Sequence, residues 1–171
     1  TAGAMEALRK NLPRTRFKDA RHLVNWVRIV KSRKELEYMA EAARIAERMM
    51  RIGIQNIQPG TRQCDVAAEI WRTGVAGTRK FGGDYPSLPP MLPTGSGIAA
   101  PHLTWTDERF KRGEGTALEL AGVRHRYHCP MARTVFLGQP PKKMRSAAKV
   151  VLEGLQAALD AMTPGTTAEE V

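Results

Sequence analysis

Residues 101–138 read "PHLTWTDERFKRGEGTALELAGVRHRYHCPMARTVFLG". The stretch opens with a histidine, His102, directly after a proline. It then carries a single carboxylate, Glu119, inside an apolar run, and ends in an Arg-Thr pair, Arg133 and Thr134. Burying a carboxylate on a strand costs free energy unless a partner or a ligand compensates its charge, so Glu119 is a candidate functional residue.

The same stretch predicts β-structure. Residues 115–119, 124–128 and 133–137 have the composition of strands, and we expect a turn near Gly122. The preceding residues 81–102, "FGGDYPSLPPMLPTGSGIAAPH", are too rich in Gly and Pro for a helix. Their prolines belong at turns and at sheet edges.

Helices flank this region. The Ser32-x-x-Glu35 pattern is a capping box and predicts a helix start. We expect that helix to end at Gly53, because glycine takes the left-handed conformation of a helix C-terminus. A second helical pattern runs through Val66, Ile70 and Trp71. The residues at core spacing in the first helix are Leu36, Met39, Ala40, Ala43, Ala46 and Met50.

The helical pattern recurs downstream. Residues 142–171 again hold a basic lead, an apolar-periodic helix, a Pro-Gly-Thr turn at 164–166 that matches 59–61, and a new helix start. A repeat of this kind predicts two half-domains related by pseudo-symmetry, of which the second is incomplete. We therefore expect residues 31–171 to be the first part of a catalytic domain, and residues 1–30 to be a linker or the tail of an N-terminal domain.

The composition is that of an ordinary globular chain, with 42% hydrophobic and 26% charged residues. Most of the net charge of +10 lies in residues 1–51, which hold 13 Lys or Arg against 6 Asp or Glu. This basic segment lacks the patterns of nucleic-acid-binding modules, so we expect no nucleic-acid partner. No apolar run approaches the roughly 20 residues of a membrane span, and we expect a cytoplasmic protein without a membrane partner.

Several motifs in serial order resemble the pita-bread family of creatinase, prolidase and methionine aminopeptidase. They are Gly95-Ser96-Gly97, Pro101-His102, Gly113-Glu114, Glu119, and Ala132-Arg133-Thr134-Val135-Phe136. The resemblance covers residues 30–171. Within the family, residues 85–105 and 122–138 are most similar to ectoine hydrolases. The resemblance implies an α+β fold in which helices pack on a curved antiparallel sheet, and a homodimer.

This chain departs from the family pattern at two positions that matter for chemistry, 119 and 130. In metal-dependent members an aspartate stands at the place of Glu119, and a second aspartate lies three residues before the Arg of the Arg-Thr pair. Here that second position is Pro130. Proline has no side-chain donor atom, so a site for a divalent cation would lose a bridging ligand. We expect no metal and no other cofactor. His125 and His128 are not expected to replace the ligands, since residues three apart on a strand face opposite sides.

Without a metal, side chains must move the protons. His102 resembles the histidine that creatinase uses for proton transfer, and imidazole suits that task near neutral pH. Glu119 either binds a cationic amidine or attacks it as a nucleophile; the structural alternative is a carboxylate paired with Arg133 or Arg126. The resemblance also implies that Arg133, Tyr85 and Ser96 bind the substrate.

The predicted activity is hydrolysis of a small cyclic amidine, with ectoine ring opening to N-acetyl-diaminobutyrate as the reaction that the resemblance implies. Ala132 disfavours creatine, because creatinase has a substrate-binding glutamate there. Two alternatives remain: a metal-dependent Xaa-Pro peptidase or aminopeptidase of the same fold, and an inactive pita-bread module that binds a partner. We expect residues 1–171 alone to be inactive.

Overall fold

A computed structural model describes all 171 residues, Thr1–Val171. The chain divides into two compact units, Thr1–Lys34 and Glu35–Val171. The first unit holds helices α1 (Ala2–Asn11) and α2 (Leu23–Ile29), neither of which has a buried residue. All the predicted site residues lie in the second unit.

Helix α3 (Arg33–Asn56) begins next to Ser32, as the capping-box pattern predicts, but it does not end at Gly53. Gly53 is a buried residue inside the helix. A Cβ added there would lie 3.0 Å from Cδ1 of Ile70 and 3.2 Å from Cδ2 of Leu118. The predicted helix end is therefore wrong, because this glycine is used for close packing rather than for a left-handed turn.

The buried face of α3 has the predicted period but a shifted phase. Its buried residues include Ala46 and Met50, as predicted, whereas Leu36 is 54% exposed and Ala40 is exposed. The first turns of α3 instead contact the β-hairpin of residues 115–136 through polar and aromatic groups. The Tyr127 hydroxyl donates a 2.8 Å hydrogen bond to Glu35.

Helix α4 (Gln63–Ala76) follows a turn in which Gly60 has φ +91°. Val66, Ala67 and Ile70 pack into the same core as α3, together with Leu118 and Leu120.

The first turn of α4 carries an exposed ion pair. Arg62 binds Asp65 with Nε–Oδ2 and Nη2–Oδ1 distances of 2.9 and 2.6 Å. The hydrogen bonds from Arg62 lower the pKa of Asp65 from its ordinary value. A carboxyl with a lowered folded-state pKa stabilises the fold at neutral pH, and this contribution is lost on acidification through that pKa. Exposed pairs of this kind contribute little.

Two long strands form an antiparallel hairpin, β1 (Gly115–Arg124) and β2 (Tyr127–Phe136). The turn lies at His125 and Arg126, with φ values of +48° and +68°. Positive φ at both central residues is the geometry of a type I′ turn, which matches the twist of a hairpin. The predicted turn near Gly122 and the separate strand at 124–128 are therefore wrong.

Gly122 lies inside β1, paired with Cys129. A Cβ added to it would overlap the carbonyl oxygen of Ala42 and the amide nitrogen of Ala46 in α3. This glycine, like Gly53, lets a helix and a strand approach closely.

The Gly- and Pro-rich segment lies along the free edge of β1, as its composition predicts. Met91 and Glu119 exchange backbone hydrogen bonds of 2.8 and 3.1 Å, and Ala117 donates to the carbonyl of Pro93 at 3.1 Å. β1 is thus bordered by residues 91–94 on one side and by β2 on the other. Helices α3 and α4 cover one face of β1, through Leu118 and Leu120, and leave the other face for the site.

After the hairpin comes helix α5 (Lys142–Ala161), which has no buried residue. The turn that follows it contains Gly165 with φ +100°, which parallels Gly60. None of the helices has the length and apolar character needed to cross a membrane.

Candidate active site

Glu119 lies at the centre of the β1 face that the helices leave uncovered. Its backbone N–H and carbonyl bond to Met91 on one edge, and it lies opposite Ala132 of β2 on the other. Leu118 and Leu120, its neighbours in sequence, are buried against the helices, so the alternation of a strand directs Glu119 to the opposite face. The carboxylate was expected to be buried, but its side chain is 46% exposed because it faces a pocket and not the core.

His102 is brought next to this carboxylate. The distance from His102 Nε2 to Glu119 Oε2 is 3.6 Å. This is longer than a hydrogen bond, but contacts between catalytic groups are often loose without substrate and tighten when it binds. The structure therefore unites the two residues that the sequence predicts as catalytic.

The backbone of His102 has φ +63°, a value that residues with a Cβ seldom adopt. Such conformations persist only where the surroundings enforce them, and they cluster at functional sites. The loop of His102 is anchored at both ends. Thr94 Oγ1 lies 3.0 Å from Thr116 Oγ1 on β1. Gln63 Oε1 accepts hydrogen bonds from the backbone N–H and the hydroxyl of Thr106.

A pocket of about 170 Å³ opens beside Glu119. Its walls are mainly apolar, and Pro130 is one of the residues that line them. The lining residues are Ser87, Leu88, Pro89, Met91, Glu119, Leu120, Ala121, His128 and Pro130. Pro130 pairs with Ala121, two residues along β1 from Glu119, and so lies on the same face as the carboxylate.

His128 joins the pocket wall to the hairpin. Its Nε2 lies 3.1 Å from both the backbone nitrogen and the hydroxyl oxygen of Ser87. Its Nδ1 lies 3.0 Å from the carbonyl oxygen of Arg126. This residue was expected to be exposed or hydrogen-bonded, and the hydrogen bonds are present. The Ser87 contact, across 41 positions of sequence, was not predicted.

Tyr85, Ser96 and Arg133, which were predicted to bind the substrate, lie elsewhere on the surface of this chain. Tyr85 is exposed and its ring lies under the Arg126 guanidinium, 4.1 Å from its carbon. Ser96 is exposed in a short 3-10 helix at Gly95–Ala99. Arg133 pairs with Leu118, which places it on the other face of the hairpin from Glu119, and its Nη1 donates to the carbonyl of Ala132 at 2.7 Å.

The structural alternative for Glu119 also fails. The Arg126 guanidinium donates to the carbonyl of Tyr85 and stacks on its ring, and Arg133 is on the opposite face. The ionisable partner of Glu119 within this chain is His102.

The side chains at this site do not fit a bridged metal pair. The position of the second bridging carboxylate is Pro130, which carries no donor atom and stands among apolar neighbours. The chain brings together no group of three or more His, Cys, Asp or Glu side chains suited to a metal ion. His125 and His128, which were not expected to act as replacement ligands, make other contacts: His125 packs on Tyr38 with ring centroids 4.5 Å apart, and His128 binds Ser87.

The helices on one face of an antiparallel sheet and the site on the other define an α+β protein with the pita-bread fold. The profile of metallopeptidase family M24 matches residues 37–171. The chain belongs to this family. Among solved structures it is similar to a prolidase from Pyrococcus horikoshii, with a TM-score of 0.88 and 28% identity over 99% of this chain and 48% of that one.

A curated relative is more similar in sequence. The chain is 45% identical to an ectoine hydrolase of Halomonas elongata, over 100% of this chain and 44% of the relative. It is 28% identical to an Xaa-Pro dipeptidase of Pyrococcus horikoshii, over 99% of this chain and 47% of the relative. The chain thus spans about half the length of the curated relatives it matches.

Proposed function

We propose that the whole protein hydrolyses a small cyclic amidine without a metal ion, and that this amidine is ectoine. The observation that carries the proposal is the pairing of His102 with Glu119 on a face where Pro130 replaces a metal-bridging carboxylate. The 45% identity to an enzyme named ectoine hydrolase supports the choice of substrate. Membership of family M24 supports the hydrolase class.

Glu119 binds the cation in this proposal. An amidinium N–H donates a charge-assisted hydrogen bond to a carboxylate, and such bonds are about twice as strong as neutral ones. The carboxylate also stabilises the positive charge that keeps the amidine carbon electrophilic. Because the backbone N–H and carbonyl of Glu119 are both hydrogen-bonded to Met91, its carboxylate is held in position before the substrate arrives.

His102 transfers the protons. Neutral imidazole removes a proton from a water molecule as its oxygen forms a bond to the amidine carbon. The resulting imidazolium, stabilised by Glu119, gives that proton to a ring nitrogen as the carbon–nitrogen bond breaks. The proton that remains on the attacking oxygen passes to the released amine, so the products are an amide and an ammonium group in one open chain, and the net reaction consumes one water molecule. Positioned acid–base groups of this kind accelerate reactions by about 10²–10⁴-fold.

A metal-dependent Xaa-Pro peptidase is the alternative that the relatives' names suggest. It would need two cations at a site where Pro130 supplies no ligand, so the donor set favours the amidine hydrolase. The homodimer and the cytoplasmic location stay predictions. We also propose that residues 1–171 alone do not turn over the substrate, since the remaining half of the relatives' length has no counterpart here.

The test is incubation of the purified whole protein with ectoine, with the product followed by mass spectrometry. We expect a product heavier by one water molecule. His102→Ala should lower kcat by about 10²–10⁴-fold, whereas His22→Ala, at an exposed histidine in the first unit, should leave it unchanged. Absence of ring opening in the wild-type protein, or full activity of His102→Ala, would refute the proposal.

A further inference from the structure

We propose that the pocket beside Glu119 is a subsite for a small alkyl group carried by the amidine carbon of the substrate. The inference rests on the proposed function and deepens it, because it assigns the part of the substrate that determines selectivity. The site holds one carboxylate for a cation, yet most of the surface around that carboxylate is apolar.

The walls have the chemistry of an alkyl-binding site. Leu88, Pro89, Met91 and Pro130 present carbon atoms to the pocket, and Glu119 is the single acidic residue that lines it. A ligand that is only a cation would leave these walls without a partner. A cation that carries a small apolar group satisfies both the carboxylate and the walls.

The covalent geometry of a cyclic amidine brings the two parts together. When both nitrogens belong to the ring, the substituent on the carbon between them projects outward beside each N–H. A carboxylate that accepts a hydrogen bond from one N–H therefore has the substituent next to it. If Glu119 binds an N–H, the group on the amidine carbon lies at the mouth of the pocket.

The apolar walls are held in place by the fold. Met91 is tied to Glu119 by two backbone hydrogen bonds. Pro90, which precedes it, is fully buried. The far end of the wall is held where Ser87 binds His128 on β2. On the opposite side Pro130 is part of the hairpin. The pocket is thus preformed, as binding sites for small molecules usually are.

The experiment compares two cyclic amidines that differ only at the amidine carbon, one with hydrogen and one with methyl, as substrates of the whole protein. A hydrophobic pocket discriminates a methyl group by about tenfold or more, so we expect kcat/KM to favour the methyl compound by that factor. Leu88→Ser, at a side chain that is 60% exposed, removes apolar wall at little risk to folding. It should reduce the preference by about fourfold.

The matched control is Leu36→Ser, at a leucine of similar exposure that does not line the pocket. It should keep the wild-type preference. An equal preference in the wild type and both variants, or no preference for methyl in the wild type, would overturn the subsite while amidine turnover itself upheld the proposed function. If neither amidine were bound or hydrolysed, the proposed function would fail, and the subsite with it.

Discussion

His128 has its tautomer determined by its neighbours. The backbone N–H of Ser87 can only donate, so Nε2 of His128 is the acceptor and carries no proton. Nδ1 therefore holds the proton and donates it to the carbonyl oxygen of Arg126. The residue is a neutral hydrogen-bonding link between β2 and the wall of the pocket, and we infer that it positions this wall.

This inference predicts a difference between two substitutions. In His128→Gln the side-chain oxygen can accept from Ser87, whereas His128→Leu leaves that N–H without its partner. Loss of such a bond costs about 1 kcal/mol, so we expect His128→Leu to raise KM for the amidine roughly five- to tenfold with kcat nearly unchanged. His128→Gln should stay close to wild type. Steady-state kinetics of the whole protein measures kcat and KM for each variant. An equal loss of kcat in both variants would contradict the positioning role.

The sequence predicted some site residues and missed others for identifiable reasons. His102 and Glu119 follow from their residue types and from the order of motifs, and the structure brings them within 3.6 Å. The resemblance places Arg133 with them, but its face depends on the hairpin register, which depends in turn on the position of the turn. The Ser87–His128 contact joins residues 41 positions apart, and no local pattern reports it.

At the scale of helices and strands, two glycines account for the main errors. Gly53 was interpreted as a helix end and Gly122 as a turn, because glycine usually marks backbone freedom. Both are used here for the absence of a Cβ: Gly53 lets α3 pack closely on α4 and β1, and Gly122 lets β1 pack closely on α3. A single sequence cannot separate these two uses of glycine. The start of α3, the existence of α4 and the edge position of the proline-rich segment depend on local patterns, and these predictions are confirmed.

Close packing at Gly122 predicts the outcome of a substitution. In Gly122→Ala the new methyl group overlaps backbone atoms of α3, which cannot rotate away. We expect a loss of about 1–3 kcal/mol or more in the free energy of unfolding, as for overpacked cores, measured by urea denaturation of the whole protein.

The control is Gly154→Ala in α5, where an added Cβ has no atom within 4 Å. Alanine favours a helix over glycine by about 0.5–1 kcal/mol, so this variant should be slightly more stable. A neutral effect of Gly122→Ala would show that α3 and β1 do not approach as closely as described.

At the scale of the molecule, helix α5 corresponds to α3 in the sequence repeat. Each is followed by a Pro-Gly-Thr turn whose glycine has a positive φ, +91° at Gly60 and +100° at Gly165. The two helices differ in burial, since α3 covers β1 whereas Val151, Leu155 and Leu159 of α5 are exposed. The repeat seen in the sequence assigns these residues to the core of a second half-domain, and this stays a prediction.

At the scale of the whole protein, the proposed chemistry depends on one claim, that Pro130 and its apolar neighbours leave no place for a bridged metal pair. The most direct test is elemental analysis of the purified whole protein, with ectoine hydrolysis measured before and after exhaustive treatment with a chelator. We predict less than one equivalent of any divalent metal per chain and unchanged turnover after chelation. Two equivalents of metal per chain, with activity lost to the chelator and restored by adding the metal back, would contradict the account.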